Sequence, residues 1–493
     1  MDAILSYVTF LPLLFALGLG LFRAPLKVLR AGAMASALGV FALALVLAWR
    51  FDPTLEGMQF VRHLPWIENY GVSYYLGVDA LSLVILLMTA FLMPLLHMYM
   101  WNYRQKGYWY NMMLLQTGVT GAALALDLVL FYLFWETMLL PIFLMIGRYG
   151  HGMHRFHAMK ILLMTVLGSM AMLFSILYLG YEYYDVHGVW NFGYDALSTL
   201  RLDPKTTIWL AAGFLLAFAI KIPLVGFHTW MAPAYSSAPT PALVILSAVM
   251  AKLGAYGLWR FGYGLFGATL EYYEPVIAVL AVAGLLFFAV HAVMEENLRR
   301  MFAFSSGSHL SLIALGIVLA NLYAWSGSLY FIATHALASA GIFLMIGMLY
   351  RRAKSVHIAN LGGIASVAPR FAFLFAFFAL AIAGVPGTGG FVGELLIVVG
   401  AFQKGIGIGF AAATTVLAAM LFVFWMLQRT IFGPVKPHVE NFEDLGALEM
   451  SLLAPIALML LLTGVAPSLF TPLFEPQMQG MLQHLADVVG GAM

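Results

Sequence analysis

Residues 370–398 read RFAFLFAFFALAIAGVPGTGGFVGELLIV. Both ends of this stretch are apolar on every face, and its length exceeds the roughly 20 residues, at about 1.5 Å rise per residue, that cross a bilayer. The centre cannot continue a helix. Pro386 removes a backbone donor and clashes with the preceding turn, while Gly384, Gly387, Gly389 and Gly390 add backbone freedom. Polar backbone groups freed at membrane depth are tolerated only where protein or a water-filled cavity covers them. One turn beyond the break stands a carboxylate, Glu394.

A second stretch is interrupted in the same way. Residues 218–231, FAIKIPLVGFHTWM, place Lys221 and Pro223 inside an apolar run. Paired interruptions in two halves of a chain are the sequence pointer to inverted-repeat transporters. Counting outward with the 20-residue ruler gives 14 candidate spans, with the breaks in spans seven (about 206–229) and twelve (about 370–398). The expected fold is therefore an all-α polytopic membrane protein of about 14 helices. Residues 1–104 hold spans 1–3, 105–265 a first five-helix repeat (spans 4–8), 266–432 a second (spans 9–13), and 433–493 the last span and a tail.

Composition agrees. Of 493 residues, 63% are hydrophobic and 9% charged, against roughly 25% charged in soluble domains, which excludes a soluble globule. Runs such as Thr207–Ile220, Val276–Ala292 and Leu452–Val465 are apolar without the period-two alternation of barrel strands, which excludes a transmembrane β-barrel. The first run, Ile4–Phe22, lacks a basic leader and a small-residue cleavage site and reads as a retained helix. The connectors are too short to bury a core of their own, so any chemistry lies in the membrane part. There is no cysteine, which removes cysteine-ligated clusters, disulfides and thiol chemistry. A net charge of +2 without a basic arm argues against a nucleic-acid partner.

Lys and Arg in short loops set orientation. Sixteen of the 24 lie in the connectors that are cytoplasmic if both termini are extracytoplasmic, and six in the opposite set, so both termini are expected outside. The remaining two, Lys221 and Lys252, lie within spans. With Glu136, His309, His335 and Glu394 they form a set of ionisable residues at membrane depth, where a charge at a helix centre costs roughly 2.5–3.5 kcal/mol on insertion scales. All can gain or lose a proton, and burial disfavours the charged form of each. They read as a proton relay in which an attractive Glu136–Lys221 pair forms and breaks. Ser305 and Ser306, beside His309, can hold water. His228 fits either a relay or an interfacial anchor beside Trp230, and His291 a hydrogen-bonded core histidine. His151, His154 and His157 lie in a basic connector without a carboxylate, so a solvated loop is preferred to a metal site. GTGGFVG (387–393) has no preceding strand, which speaks against a nucleotide loop.

Six motifs carry a resemblance: YLGVD at 75–79, FYLFWETMLLP at 131–141, FAIKIPLVGFHTWM at 218–231, AKLGAYG at 251–257, FSSGSHL at 304–310 and GVPGTGGFVGE at 384–394. Across about residues 75–432 the chain resembles the antiporter-like membrane subunits of NADH-quinone oxidoreductase (respiratory complex I), of the subunit M type that corresponds to mitochondrial subunit 4. The resemblance implies 14 helices with helices 7 and 12 broken, and a proton-translocating role driven by redox chemistry elsewhere. It implies Glu136 and Lys221 as a modulating pair, Lys252, His309 and His335 as the central relay, and Glu394 as the exit-side residue. NADH, FMN, iron–sulfur clusters and quinone belong to partner subunits on this reading. The related subunits L and N and lipids are the implied neighbours, and a bacterial inner membrane is the implied location. Subunits L and N and Mrp-type antiporters usually hold lysine at the place of Glu394, and subunit L continues into a long lateral helix where about 23 residues remain here. An Mrp-type cation/proton antiporter or a membrane-bound hydrogenase is the alternative. Pro233, Tyr235 and Ser237 replace polar or charged residues of the family, Asn297 and Arg299 stand where Asp and Lys are usual, and Gln116 replaces a common Glu.

Overall fold

In a computed structural model, residues 3–490 are described, and they are predominantly helical. Among them, 11 helices are long and apolar enough to cross a membrane. These coincide with 11 of the 14 expected spans. The other three fall on the Lys106–Leu124 helix, rich in small and polar residues, and on the two interrupted stretches, Pro204–Lys221 and Pro369–Ile382 with Gly389–Lys404. Neither half of a broken span meets the length and hydropathy of an unbroken one.

The chain forms two compact units. Among the described residues the first comprises 3–221, 252–275 and 479–490, and the second 222–251 and 276–478. The second broken stretch lies wholly in the second unit, whereas the first is divided after Lys221.

In the first unit the sequence reading lacked one element, a β-hairpin. Strands Gln59–Ile67 and Val72–Val78 pair antiparallel through a turn closed by Gly71 at φ +64°. Asp127 fastens this hairpin to the helical segment that carries Glu136: its carboxylate accepts from the amides of Val129 and Leu130 at that helix start and from Ser73 N at 2.9 Å. The helix bends at Met138, so Leu128–Thr137 and Leu139–Tyr149 are separate segments with Glu136 at the end of the first. Lys221 ends the Pro204–Lys221 helix, which lies tightly on His154–His187. A Cβ on Gly168 would come within 2.8 Å of Ile220 Cδ1 and 3.0 Å of the Ala217 Cα. Small residues permit such approaches between membrane helices.

In the second unit, Leu298–Val318 is buried on every face, whereas Ile406–Thr430 exposes Phe410, Leu417, Leu421 and Phe424. The latter set is the apolar surface expected against lipid. Leu322–Ala353 and Gly389–Lys404 lie flush, because Gly393 leaves no room for a Cβ beside the Phe331 backbone. A connector lashes one end of this unit together. Arg352 forks onto Glu449 (Nη2–Oε2 2.5 Å) and donates to the carbonyls of Glu443 (2.7 Å) and Asp444 (3.3 Å).

Asp444 in turn caps Pro369–Ile382, accepting from the amides of Arg370, Phe371 and Leu445. Burial pushes its carboxyl up, but those amides and the Arg370 charge outweigh burial and hold it below its ordinary value of 3.8. A carboxyl lowered on folding stabilises above its unfolded value, and that stabilisation is lost as pH falls through the folded value. Asp444→Asn is therefore expected to lower the thermal unfolding midpoint of the detergent-solubilised subunit at neutral pH, with the gap from wild type shrinking below about pH 3.8. A gap that stays constant with pH would show that the charge contributes nothing.

Candidate functional site

The second broken stretch ends its first half with an ordered stop. Ala383 caps Pro369–Ile382, Gly384 takes the left-handed conformation (φ +66°), Gly384 N donates to Ala381 O, and Val385 N reaches back to Leu380 O at 3.2 Å. This is the Schellman pattern, and glycine supplies its positive φ without strain. Gly384 has a second reason to lack a side chain, since a Cβ there would overlap Glu394 Oε2. The break thus folds its backbone against the carboxylate that follows it.

Glu394 is buried, and neither carboxylate oxygen has a hydrogen-bond partner among the described residues. Its Oε1 lies 3.5 Å from His309 Nε2, an ion-pair distance whenever that ring is protonated. His309 and His335 face each other edge-on with centroids 5.0 Å apart, and the Phe331 ring touches both, 5.4 Å from His309 and 5.5 Å from His335. Three titratable side chains from three different helices are thereby gathered in an apolar enclosure. Ser305 and Ser306, on the His309 helix, are buried, and Ser305 Oγ has no hydrogen-bond partner among the described residues.

In the first unit, Lys221 is buried with Nζ 4.8 Å from the centre of the Trp135 ring, a cation–π contact with the residue preceding Glu136. Ser169 hydrogen-bonds Glu136, whose charge acts on Lys221, yet the two make no direct ion pair among the described residues. The lysine is held by an aromatic face near the carboxylate rather than clamped to it. Lys252, fully buried, sits on Ala251–Gly257 between two π-helical segments, Leu246–Met250 and Leu258–Tyr263. Such segments are frequent at functional sites because they break the regular backbone ladder.

The remaining histidines have packing contacts of their own. His228 is half-buried, its ring against Phe287 and Phe288 at 5.1 and 5.0 Å, with its Nδ1 accepting from Gly226 N. His291 contacts its own helix carbonyl at Phe287, as a core histidine would. His154 bonds Gly147 O. No group of three or more potential metal ligands occurs among the described residues.

Arg260 is one of the six cations that the loop count assigns to the extracytoplasmic connectors. It is instead buried in the π-helical segment, with Nη2 2.5 Å from Asp79 Oδ2. A charge at the end of an apolar run looks the same in sequence whether it snorkels outward or turns inward to a partner; only Asp79, at the far end of YLGVD, decides.

The family described as "NADH:quinone oxidoreductase/Mrp antiporter, TM" matches residues 125–421, a range that contains both breaks and all six ionisable residues. The chain belongs to this family. Within the family it is 34% identical over 501 residues to NADH-quinone oxidoreductase subunit M of Rhodobacter capsulatus, covering 98% of this chain and 97% of that one. Its fold matches a chain of respiratory complex I from Thermus thermophilus with TM-score 0.88 at 27% identity, over 98% of this chain and 99% of that one. A chain of the Mrp complex from Dietzia sp. DQ12-45-1b has the same fold (TM-score 0.85, 21% identity, 99% of each chain). As a family member with 11 apolar helices and bacterial relatives, the protein is a multi-span membrane protein.

Proposed function

We propose that this chain is a proton-translocating membrane subunit of NADH-quinone oxidoreductase, in which electron transfer from NADH to quinone in other subunits drives protons through this one. The observation that carries the proposal is the buried Glu394–His309–His335 cluster at the broken helix, in a chain so similar to subunit M over nearly its whole length. The finer architecture proposed is 14 spans with inverted repeats at spans 4–8 and 9–13, both termini extracytoplasmic, in a bacterial inner membrane. NADH, FMN, iron–sulfur clusters and quinone lie in partner subunits, with subunits L and N as neighbours.

The geometry supports the following chemistry. Lys221 is held over Trp135 within the field of Glu136 without a fixed ion pair. A small approach of the two stabilises a proton on the lysine, and a small separation releases it, because a buried charge without its partner is expensive. Lys252 and the His309–His335 pair are further proton holders, and within the second unit Glu394 accepts from His309. Each transfer alters the charge its neighbour meets, which couples the steps.

Glu136→Gln tests this assignment while preserving side-chain shape. In the intact complex reconstituted in liposomes, proton uptake per NADH oxidised is expected to fall severalfold with assembly unchanged. Wild-type pumping and quinone reduction would sink the relay role of the pair.

An Mrp-type antiporter or membrane-bound hydrogenase subunit is the second reading, favoured by the family's breadth. Co-purification separates them: NADH-oxidising subunits support the first, other antiporter chains the second. An inert scaffold would respond to neutralisation of Lys221 or Glu394 through assembly alone.

A further inference from the structure

A line of hydroxyls runs through the second unit and ends at His309. Tyr235, on the short Met231–Ser237 helix, is fully buried with its ring edge-on to Phe343 at 5.9 Å. Its phenol interacts with the Ser247 hydroxyl, and its oxygen makes no geometric hydrogen bond among the described residues. Ser247 lies in the π-helical Leu246–Met250 segment, where the ladder is offset, and its Oγ is 3.4 Å from Ser306 Oγ. Ser306 is one turn before His309 on one helix. Residues three apart on a helix have Cβ atoms roughly 5–6 Å apart, a gap one bridging water closes. At the other end, Arg299, nearly buried and stacked over Tyr350 at 5.3 Å, donates to the carbonyls of Ser236 and Ala238 on either side of this turn.

We infer that Tyr235, Ser247 and Ser306 form the proton-uptake arm that feeds His309, with Arg299 as the positioning residue that holds the Tyr235 segment in place. The inference rests on the proton-translocation reading and adds residues to it. A hydroxyl is both donor and acceptor. At each one an O–H bond forms to the incoming proton as the original O–H bond breaks toward the next oxygen. One proton enters at Tyr235, one leaves Ser306 for His309, and no buried hydroxyl need remain ionised. That suits an enclosure in which an isolated charge is costly. It also gives a physical role to a tyrosine in a segment that lacks carboxylates: residues 231–240 contain none.

The test uses the intact complex in liposomes, reading initial proton-pumping rate beside NADH:quinone reductase activity. Tyr235→Phe keeps the ring on Phe343 and removes only the oxygen; Ser247→Ala breaks the line at its middle, and Ser247→Thr keeps a hydroxyl there. The arm predicts a fall in pumping of at least about fivefold for Tyr235→Phe and Ser247→Ala, small beside the 10²–10⁴ that a positioned proton-transfer group contributes, with Ser247→Thr near wild type. Wild-type pumping in Tyr235→Phe and Ser247→Ala, alongside impaired Glu394→Gln, would overturn the arm and leave the relay reading standing. If Glu394→Gln also pumps normally, the relay reading itself fails and the arm with it. Should Tyr235→Phe fail to assemble, the Ser247 pair decides alone: equal loss in Ala and Thr would mark a packing role and overturn the arm.

Discussion

Glu394→Gln is expected to lower proton pumping by the intact complex at least about tenfold, short of the 10²–10⁴ that positioned proton-transfer groups contribute, while the subunit still assembles. Glutamine matches the shape of the side chain that nestles against Gly384 and His309, so the enclosure is kept. What it removes is a carboxylate able to take and give a proton at 3.5 Å from His309 Nε2. Glu394→Asp retains the acid but draws it back by one methylene, and an intermediate rate is expected. Pumping is read as the initial acidification of liposomes, and assembly by the recovery of partner subunits with this chain. Wild-type acidification by the assembled Gln variant would remove Glu394 from any proton path.

Arg260→Met is expected to cause the largest loss of stability. Asp79 is fully buried, caps the Ala80–Tyr99 helix through Ser82 N at 3.0 Å, and receives Arg260 at 2.5 Å. Arg260 Nε donates to the Tyr256 hydroxyl, which donates onward to Ala123 O at 2.8 Å. Removing the cation strands a carboxylate in an apolar interior, a change that costs roughly 3–5 kcal/mol when one partner of a buried pair is deleted. The unfolding midpoint of the detergent-solubilised subunit should drop sharply, and its yield in assembled complex with it. Replacing both partners, Asp79→Leu with Arg260→Met, should recover most of the loss, because no unpaired charge remains. A single variant as stable as wild type would show that water reaches Asp79.

The two breaks were legible because proline and glycine act on the backbone within a few residues of where they stand. The acid after one break and the lysine at the other were legible because ionisable residues are rare in apolar runs. The β-hairpin at 59–78 was not. Its strand Gln59–Ile67 is largely exposed and carries Arg62, His63 and Pro65, so neither length nor apolar pattern marks it in a chain read for helices. Tyr235 and Ser247 were also invisible as partners: a tyrosine in an irregular segment and a serine in an apolar helix carry no spacing that links them. Their meeting depends on a π-helical offset that local propensity does not encode.

By itself the sequence determined that this is a membrane protein of many helices, where two of them must be interrupted, and which six ionisable residues fall inside apolar runs. Those conclusions rest on local costs: inserting a charge, losing a backbone donor, spanning a fixed thickness. The tertiary structure alone decided that Glu394 meets His309 across helices, that Lys221 rests on Trp135 rather than clamping to Glu136, and that Arg260 turns inward to Asp79. Each is a contact between residues far apart in the chain, set by how closely glycine-faced helices pack, and no window of sequence contains it.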